Sequence, residues 1–338
     1  MSALAVTELA PASGPAESRG RARDDVALLV ATRGDHGLVA ARFGDLPRFM
    51  RAGDLLVVNV SATLPAALAA TLDGRPVRVH LSAPLADERW VVELRTADRR
   101  PLAPPPVGTR LPLAGGGLVS VRGRFATSER LSVAELRLPG GPAAYLARHG
   151  APIRYPGRDD GWPLDAYQTV FARVPGSAEM ASAARPFSHE LVTELVTRGV
   201  VLAPITLHAG VSSLERDERP YPERYEVPAT TARLVNAARA SGGRVIAVGT
   251  TVVRALETVA AEDGEVAPGT GWTDVIVAPE RGLRAVNGLI TGWHEPRSSH
   301  LLMLEAVAGP DLVRRSYERA GELGFRGHEF GDAHLILP

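Results

Sequence analysis

The sequence predicts an α/β protein whose mostly parallel sheet is interrupted by a small inserted β-barrel. Two kinds of sequence pattern along the 338 residues support this prediction. In one, short apolar runs alternate with helical patterns, as expected for a parallel sheet covered by helices. In the other, strand-length segments follow each other closely with Gly, Pro and Asp between them, which is typical of an all-β unit. We expect a flexible leader at 1–18, an α/β core domain at 19–65 and 151–338, and a barrel domain at 66–150.

Individual elements follow from the same patterns. Apolar runs predict core strands at 27–31, 55–59, 200–207, 245–248 and 273–278. Pro204 interrupts the third of these, which indicates an edge strand or a bend. Barrel strands are predicted at 76–81, 90–94, 118–121 and 132–138, with a short helix at 145–149. Three core helices are predicted. The first begins after the cap residue Ser188 and has Leu191, Leu195 and Val196 on its inner face, and the other two lie at 230–241 and 298–308.

Composition excludes several classes of function. The chain has no Cys, which excludes disulfides, thiolate catalysis and Cys-ligated metal sites. All 38 basic residues are Arg, which excludes Schiff-base chemistry and a phosphate-loop lysine. The net charge of +0 argues against nonspecific binding of nucleic acid through bulk charge. The chain has no apolar segment long enough for a membrane span and no signal-peptide pattern, so we expect a cytoplasmic protein without a membrane partner.

The most informative stretch, 244–257, reads as an apolar strand, a Gly-Thr-Thr turn and a helix. Gly249 permits a sharp turn, and Thr250 or Thr251 can cap the helix. Arg254 and Glu257 share one face near the start of that helix. The carboxyl end of a parallel strand joined to a helix N-terminus is where α/β proteins bind small polar ligands. Taken alone, the turn fits an ordinary capped helix better than a binding site.

Two His residues lie at predicted strand-to-helix junctions. His208 ends a strand just before a Gly turn, and His294 lies in a polar loop that continues through Arg297 and Ser298 into a buried helix. A single His is more often structural than functional, but two at junctions of one sheet favour a shared site. The spacing of the nine His residues does not support a metal site.

Six segments occur in an order that resembles the S-adenosylmethionine:tRNA ribosyltransferase-isomerase family of queuosine biosynthesis. They are Gly-Asp-Leu-Leu-Val-Val-Asn at 53–59, Tyr-Gln-Thr-Val-Phe-Ala at 167–172, Thr-Leu-His-Ala-Gly at 206–210, Val-Gly-Thr-Thr-Val-Val-Arg-Ala-Leu-Glu at 248–257, Leu-Ile-Thr-Gly-Trp-His-Glu-Pro-Arg-Ser-Ser at 289–299 and Phe-Gly-Asp-Ala-His-Leu-Ile at 330–336. The resemblance implies an α/β domain with an inserted barrel. It also implies transfer of the ribosyl unit of S-adenosylmethionine, the cosubstrate, to 7-aminomethyl-7-deazaguanine in tRNA. Adenine and methionine leave, the product is epoxyqueuosine, and no metal is required.

The resemblance also implies roles for particular residues. A general base must remove the proton beside the sulfonium, and the candidates are His208, His294 and Glu223. Arg254 suits the methionine carboxylate because a guanidinium binds a carboxylate with two hydrogen bonds. The remaining residues expected at the cosubstrate are Asn59, Thr250, Thr251 and Glu257. Those expected at the acceptor are Tyr167, Gln168, Thr169, Arg297, Ser298 and Asp332.

Several polar segments depart from the family pattern. Pro186 stands where the family has His, Glu179 adds a charge, and at 220–223 the family's Met-His-Ser-Glu is Pro-Tyr-Pro-Glu. These departures leave two alternatives open beside the tRNA reaction. One is an S-adenosylmethionine-dependent enzyme acting on a small molecule, and the other is a non-catalytic binding protein on the same fold. The sequence leaves the acceptor and the oligomeric state open, with a monomer favoured.

Overall fold

The computed structural model describes residues 4–85, 87–126, 128–155, 161–211, 220–296, 298–327 and 329–338. The strands are β1 (Ala27–Thr32), β2 (Leu38–Arg42), β3 (Leu55–Asn59), β4 (Ser61–Thr63), β5 (Ala67–Leu72), β6 (Arg75–Pro84), β7 (Arg89–Thr96), β8 (Arg110–Pro112), β9 (Leu118–Arg124), β10 (Leu131–Arg137), β11 (Val174–Ser177), β12 (Val201–His208), β13 (Glu223–Val227), β14 (Val245–Val248), β15 (Gly269–Thr273), β16 (Gly288–Gly292) and β17 (Ala333–Leu337). The α-helices are α1 (Pro142–His149), α2 (His189–Thr197), α3 (Ala229–Ala240), α4 (Thr250–Val259), α5 (Ser299–Ala308) and α6 (Pro310–Glu322). None of these helices is long and apolar enough to cross a membrane.

A nine-stranded sheet forms the core, in the order β15-β13-β12-β3-β14-β16-β17-β1-β2. Its centre is parallel, because β12, β3, β14 and β16 run in one direction, and β17 and β1 form a further parallel pair. Antiparallel pairs join β16 to β17 and complete both edges, which makes the sheet mixed. The predicted α/β class is confirmed.

Alternation along the central strands builds a core on both faces of this sheet. Leu55 and Val57 of β3 belong to the apolar cluster that packs under α3, α4, α5 and α6. Leu56 and Val58 belong to the cluster on the opposite face, which includes Leu191 of α2. Helices on both faces therefore hold the strand ends, and the loops that follow them, in fixed positions.

The predicted inserted barrel is also confirmed. Its six strands lie in the order β5-β6-β7-β10-β9-β8, all antiparallel. A bridge between Ala70 and Leu113 brings the two end strands together and nearly closes the sheet. The helix expected at 145–149 begins earlier, at Pro142, since proline suits the first turn of a helix. The division at residues 66 and 150 stays a prediction.

Pro204 does not mark an edge, because β12 lies inside the sheet. Residues 201–205 of β12 pair with β3, whereas β13 pairs only with 206–208. Pro204 therefore lies where β13 requires no N–H from it. Its carbonyl accepts a hydrogen bond from the Thr231 hydroxyl at 2.6 Å, which ties α3 to the strand.

Two element predictions are wrong. Of the strand expected at 273–278, only Thr273 is in a strand, as the last residue of β15 (Gly269–Thr273), and residues 274–278 are irregular. The Thr273 and Val275 carbonyls accept hydrogen bonds from Arg254. Val196, expected on the inner face of α2, is 53% exposed, whereas Leu191 and Leu195 are buried.

The predicted flexible leader is also corrected from Leu4 onward. Leu4, Val6 and Leu9 pack against the main apolar cluster. The backbone of this segment exchanges hydrogen bonds with Gly327 at 3.0 and 3.1 Å. The spaced apolar side chains of this Ala- and Ser-rich segment pack it against the core. This packing places Leu9 in the wall of the functional cavity.

Candidate functional site

A cavity of about 750 Å³ lies at the carboxyl ends of the parallel strands β12, β14 and β16. The loops after these strands form one wall, and residues of the barrel, including Val91 and Leu131, form the other. Six of the sequence-predicted site residues line it: Glu223, Thr250, Thr251, Arg254, His294 and Ser298. Seven do not: Asn59, Tyr167, Gln168, Thr169, His208, Glu257 and Asp332. Arg297 lies outside the described residues.

The turn after β14 presents the N-terminus of α4 to this cavity. Gly249 is the cap residue, with φ +99°, a conformation that favours glycine. Neither threonine caps the helix, contrary to the expectation, because Thr250 is already its first residue. The first N–H groups of a helix have no partner within it, so the turn offers donors to a ligand in the cavity.

Arg254 and Glu223 form an ion pair in the cavity wall. The guanidinium also donates to the carbonyls of Tyr221, Thr273 and Val275, at 3.1, 3.0 and 3.2 Å. The other carboxylate oxygen of Glu223 accepts from the Gly210 N–H at 3.0 Å. Burial raises the pKa of Glu223, although the Arg254 charge and the Gly210 hydrogen bond oppose the rise. Both oxygens of this base candidate are therefore already bonded.

Glu257 is an internal anchor rather than a cavity residue. Its carboxylate is fully buried and accepts hydrogen bonds from the backbone N–H groups of Arg284 and Ala285, and from the Arg281 side chain at 2.8 Å. It does not pair with Arg254, although the two residues are three apart on α4. The expected role at the cosubstrate is not supported, since the carboxylate faces the 281–286 loop.

The side chains of Asn59 and His208 form hydrogen bonds with neighbouring strands, and neither residue lines the cavity. The Asn59 amide exchanges hydrogen bonds with both backbone groups of Leu207, at 2.8 and 3.0 Å, and so joins the ends of β3 and β12. Its nitrogen also reaches the Thr251 hydroxyl at 3.4 Å. Nδ1 of His208 bonds the Ser61 hydroxyl at 2.7 Å. Burial, followed by the Arg224 charge, lowers the pKa of His208.

The four residues expected at the acceptor that lie outside the cavity have structural partners. Gln168 exchanges hydrogen bonds with the Thr63 backbone at 3.0 and 2.8 Å. The ring of Tyr167 packs on Phe330 with centroids 5.1 Å apart. Thr169 accepts from the Phe171 N–H within its own turn.

Asp332 likewise closes a loop onto β1. Its carboxylate accepts from the Ala27 and Arg326 N–H groups, both at 2.7 Å. Burial raises the pKa of Asp332, and these two hydrogen bonds oppose the rise. Sequence pattern alone could not distinguish a polar group that serves the backbone from one that serves a ligand.

Two stacked imidazoles form another part of the cavity wall. The rings of His294 and His300 lie 4.4 Å apart at an interplanar angle of 13°. Nε2 of His294 bonds the Thr291 hydroxyl at 2.9 Å, and Nδ1 of His300 bonds the Ser298 hydroxyl at 2.9 Å. Burial, with the nearby His300 and His334 rings, lowers the pKa of His294 well below its usual range. Burial and the Arg254 charge lower the pKa of His300 to about 4.

His300 was missed by the sequence reasoning, although a signal existed. It lies two residues after Ser298, which caps α5 by accepting from the His300 N–H. A side chain in the first turn of a helix that follows a site loop is a natural candidate for the same site.

Carboxylates dominate the charged side chains of the cavity wall. Five glutamates line it: Glu8, Glu179, Glu223, Glu295 and Glu329. Among the described lining residues, the single arginine is Arg254. The Tyr155 phenol donates to Glu179, one of the departures noted in the sequence. Burial, together with the Glu179 charge, raises the pKa of Tyr155. Among the described lining residues, carboxylates therefore outnumber guanidinium groups, and one of them, Glu223, is paired with Arg254.

A cavity at the carboxyl ends of parallel strands, with helix N-termini and a buried Arg in its wall, defines an α/β ligand-binding site beside an inserted barrel. The family model described as "Queuosine biosynthesis protein" matches residues 6–336, so the chain belongs to that family of enzymes. The family resemblance of the six segments is thereby confirmed.

Individual relatives are similar over nearly their whole length. The S-adenosylmethionine:tRNA ribosyltransferase-isomerase of Moorella thermoacetica is 37% identical over 328 residues, with 93% of this chain and 94% of that protein covered. The enzyme of the same name from Geobacter metallireducens is 38% identical, with 93% of each covered. The crystal structure of S-adenosylmethionine tRNA ribosyltransferase from Thermotoga maritima matches with a TM-score of 0.54 and 28% identity, and covers 97% of this chain and 96% of that one.

Proposed function

We propose that the protein transfers and isomerises the ribosyl moiety of S-adenosylmethionine onto 7-aminomethyl-7-deazaguanine in tRNA, which yields epoxyqueuosine and releases adenine and methionine. The observation that carries the proposal is the cavity with Arg254 and the α4 N-terminus in its wall, in a chain of the queuosine family. The names of the relatives support the same reaction and the same cosubstrate.

The charges of the cavity match those of S-adenosylmethionine. Its sulfonium and ammonium are cations, and five carboxylates line the cavity that would receive them, of which Glu223 is already paired with Arg254. Its carboxylate is an anion, and Arg254 with the N–H groups at the start of α4 are the donors suited to it. Because Arg254 already binds Glu223, the ligand carboxylate shares or replaces that partner.

His294 is the base that the geometry favours among the three candidates. It lines the cavity, whereas His208 does not, and both oxygens of Glu223 are bonded. Its lowered pKa keeps the imidazole in the neutral form that can accept a proton, and the same shift makes it a weaker base than a free imidazole, so the case for His294 rests on its place in the cavity. Glu223 then has a different role, which is to hold the Arg254 guanidinium in place.

A small-molecule acceptor is the second candidate function. One specific observation favours it: residues of the altered segment, including Glu179, Met180 and Ser182, line the cavity. Any acceptor that enters the cavity meets these side chains, and a changed set changes which acceptor fits.

The test is release of adenine and methionine from S-adenosylmethionine by the purified protein. We expect release in the presence of tRNA that bears the aminomethyl deazaguanine, and none with tRNA that carries guanine instead. Release that is independent of tRNA would favour the small-molecule acceptor. Absence of S-adenosylmethionine binding by calorimetry would contradict both candidates and leave the non-catalytic alternative.

A further inference from the structure

We propose that Trp272 and Arg224, on the two outermost strands at one edge of the core sheet, bind a nucleotide of the tRNA that lies beside the modified base. Trp272 stacks on that nucleobase, and Arg224 contacts a phosphate of the same single-stranded segment. The inference rests on the proposed function, because it takes tRNA as the acceptor. The six family segments include neither residue.

The size of the cavity shows why a surface outside it is needed. A volume of about 750 Å³ lies in the range that holds small molecules, so the cavity can take the cosubstrate and one inserted base but not an RNA loop. The rest of the acceptor then lies on the surface beside the cavity. Because carboxylates outnumber arginines among the described residues of the cavity wall, attraction for RNA phosphates has to come from outside that wall.

The two side chains lie next to the cavity wall and on one face of the sheet. Arg224 follows Glu223, which lines the cavity, and Trp272 precedes Thr273, whose carbonyl binds Arg254 at 3.0 Å. Arg224 and Trp272 are directly opposite each other in the antiparallel pair of β13 and β15. Opposite residues of such a pair place their side chains on the same face, so one nucleotide can contact both.

Both side chains are accessible from solvent. Trp272 is 42% exposed, and no described residue makes a ring contact with it. Arg224 is exposed and forms no ion pair or side-chain hydrogen bond with a described residue. An aromatic ring beside a guanidinium is the combination on which single-stranded RNA binds, because the ring stacks on a base and the guanidinium meets the backbone.

The neighbouring charges leave Arg224 as the charged residue in the row with Trp272. The third member of that row is His208, opposite Arg224 on β12, and burial followed by the Arg224 charge lowers its pKa. Glu226 shares this face of β13 but lies two residues further from the cavity end. Asp274 follows β15 and is exposed, and it forms no ion pair with Arg224.

The test measures binding of tRNA that bears 7-aminomethyl-7-deazaguanine to the full chain, by fluorescence anisotropy at several salt concentrations. Trp272→Ala removes the ring and Trp272→Phe keeps one, whereas Arg224→Gln removes the charge and Arg224→Lys keeps it. The matched controls are Leu323→Ala, just after α6, and Arg233→Gln on α3, because both positions are exposed. Calorimetry with S-adenosylmethionine shows that each variant retains a folded cavity.

We expect Trp272→Ala to weaken tRNA binding by about 5- to 150-fold, the usual range for one stacked base, and Trp272→Phe to stay within about threefold of the wild type. Arg224→Gln should reduce the slope of log K against log salt concentration by about 1, as expected for one lost phosphate contact, and Arg224→Lys should keep the slope. The controls should bind tRNA as the wild type does, and all variants should bind S-adenosylmethionine alike.

Unchanged tRNA affinity in Trp272→Ala, equal loss in Trp272→Phe, or an unchanged salt slope in Arg224→Gln would overturn the inference. Equal losses in the two controls would overturn it as well, since the effect would then not belong to this surface. Its failure is distinct from that of the proposed function, because adenine release by the wild type with the same tRNA is measured separately.

Discussion

Arg254 of α4 and Glu223 of β13 form one ion pair in the wall of the cavity. The sequence had indicated separate roles for them, one in binding the cosubstrate and one in catalysis. The structure makes them interdependent, because Glu223 is one of four acceptors that hold the guanidinium. Glu223 and the three carbonyls therefore fix the orientation of the guanidinium in the cavity wall.

Replacing Arg254 by Lys should weaken binding of S-adenosylmethionine at least tenfold. A lysine ammonium cannot reproduce the planar fork that reaches Glu223, three carbonyls and a ligand at once. A lost charge-assisted hydrogen bond costs about 1.5–3 kcal/mol. Calorimetric titration measures the dissociation constant, with Arg233→Lys on the exposed face of α3 as the matched control. An unchanged constant for the Arg254 variant would remove this residue from the cosubstrate site.

Replacing His294 by Gln should reduce turnover by about 10²- to 10⁴-fold, the usual contribution of a general base. Glutamine retains a nitrogen that can bond Thr291 but cannot accept the proton. The comparison is His208→Asn, which keeps a polar group for Ser61 and should leave turnover within a few-fold, since His208 lies outside the cavity. Release of adenine under saturating substrates measures both. The opposite ranking would make His208 the base.

Replacing Glu257 by Gln should destabilise the fold by about 3 kcal/mol, because it leaves Arg281 and three backbone donors around a group without charge. Binding of S-adenosylmethionine by the folded variant should remain unchanged. Urea unfolding gives the free energy, and Glu262→Gln, at a side chain 94% exposed, is the control. A stable variant that fails to bind the cosubstrate would restore Glu257 to the site.

Stability should fall in acid because of His334. Its ring is fully buried against Trp293, centroids 4.6 Å apart, and neither ring nitrogen has a partner among the described residues. Burial lowers the pKa of His334 to about 3. The unfolded chain, with a His pKa of about 6.5, binds more protons between pH 6.5 and 3, so the free energy of unfolding falls as pH drops through that window.

Phenylalanine at position 334 keeps the stacked ring and removes the titration. Between pH 7 and pH 4, the wild type should lose about 3 kcal/mol more of its free energy of unfolding than His334→Phe. Urea unfolding at several pH values measures the difference. The exposed-site variant His189→Gln should follow the wild type. Parallel pH profiles for the wild type and His334→Phe would show that His334 does not titrate on unfolding.

The sequence predicted the parts of the fold that periodicity and turn chemistry encode. The apolar run before Gly249 and the helix after it gave the strand, the turn and the place of Arg254. The same pattern could not show that Glu257 turns inward, since a carboxylate on a helix is compatible with solvent, ligand or backbone partners, and Glu257 lies near the end of α4 rather than near its start. The same applies to Asn59 and Asp332, whose partners are backbone groups distant in sequence and whose roles at a ligand stay predictions.

Long-range docking explains the remaining differences. Leu9 reaches the cavity because Ala10 and Ala12 form backbone hydrogen bonds with Gly327, more than 300 positions away. No local sequence pattern predicts that contact. His300 joins His294 only when the loop after β16 folds back onto the start of α5. The strand expected at 273–278 shares only Thr273 with β15, and the carbonyls of Thr273 and Val275 bind Arg254 of α4. Each case depends on a partner that the local sequence does not contain.

The most direct test of the proposed function follows the ribosyl unit itself. S-adenosylmethionine labelled in the ribose is incubated with the protein and tRNA that bears 7-aminomethyl-7-deazaguanine, and label in the tRNA is counted beside free adenine. We predict incorporation and adenine release in equal amounts, both abolished when the tRNA carries guanine. Adenine release without label in the tRNA, or no release from bound S-adenosylmethionine, would contradict the account.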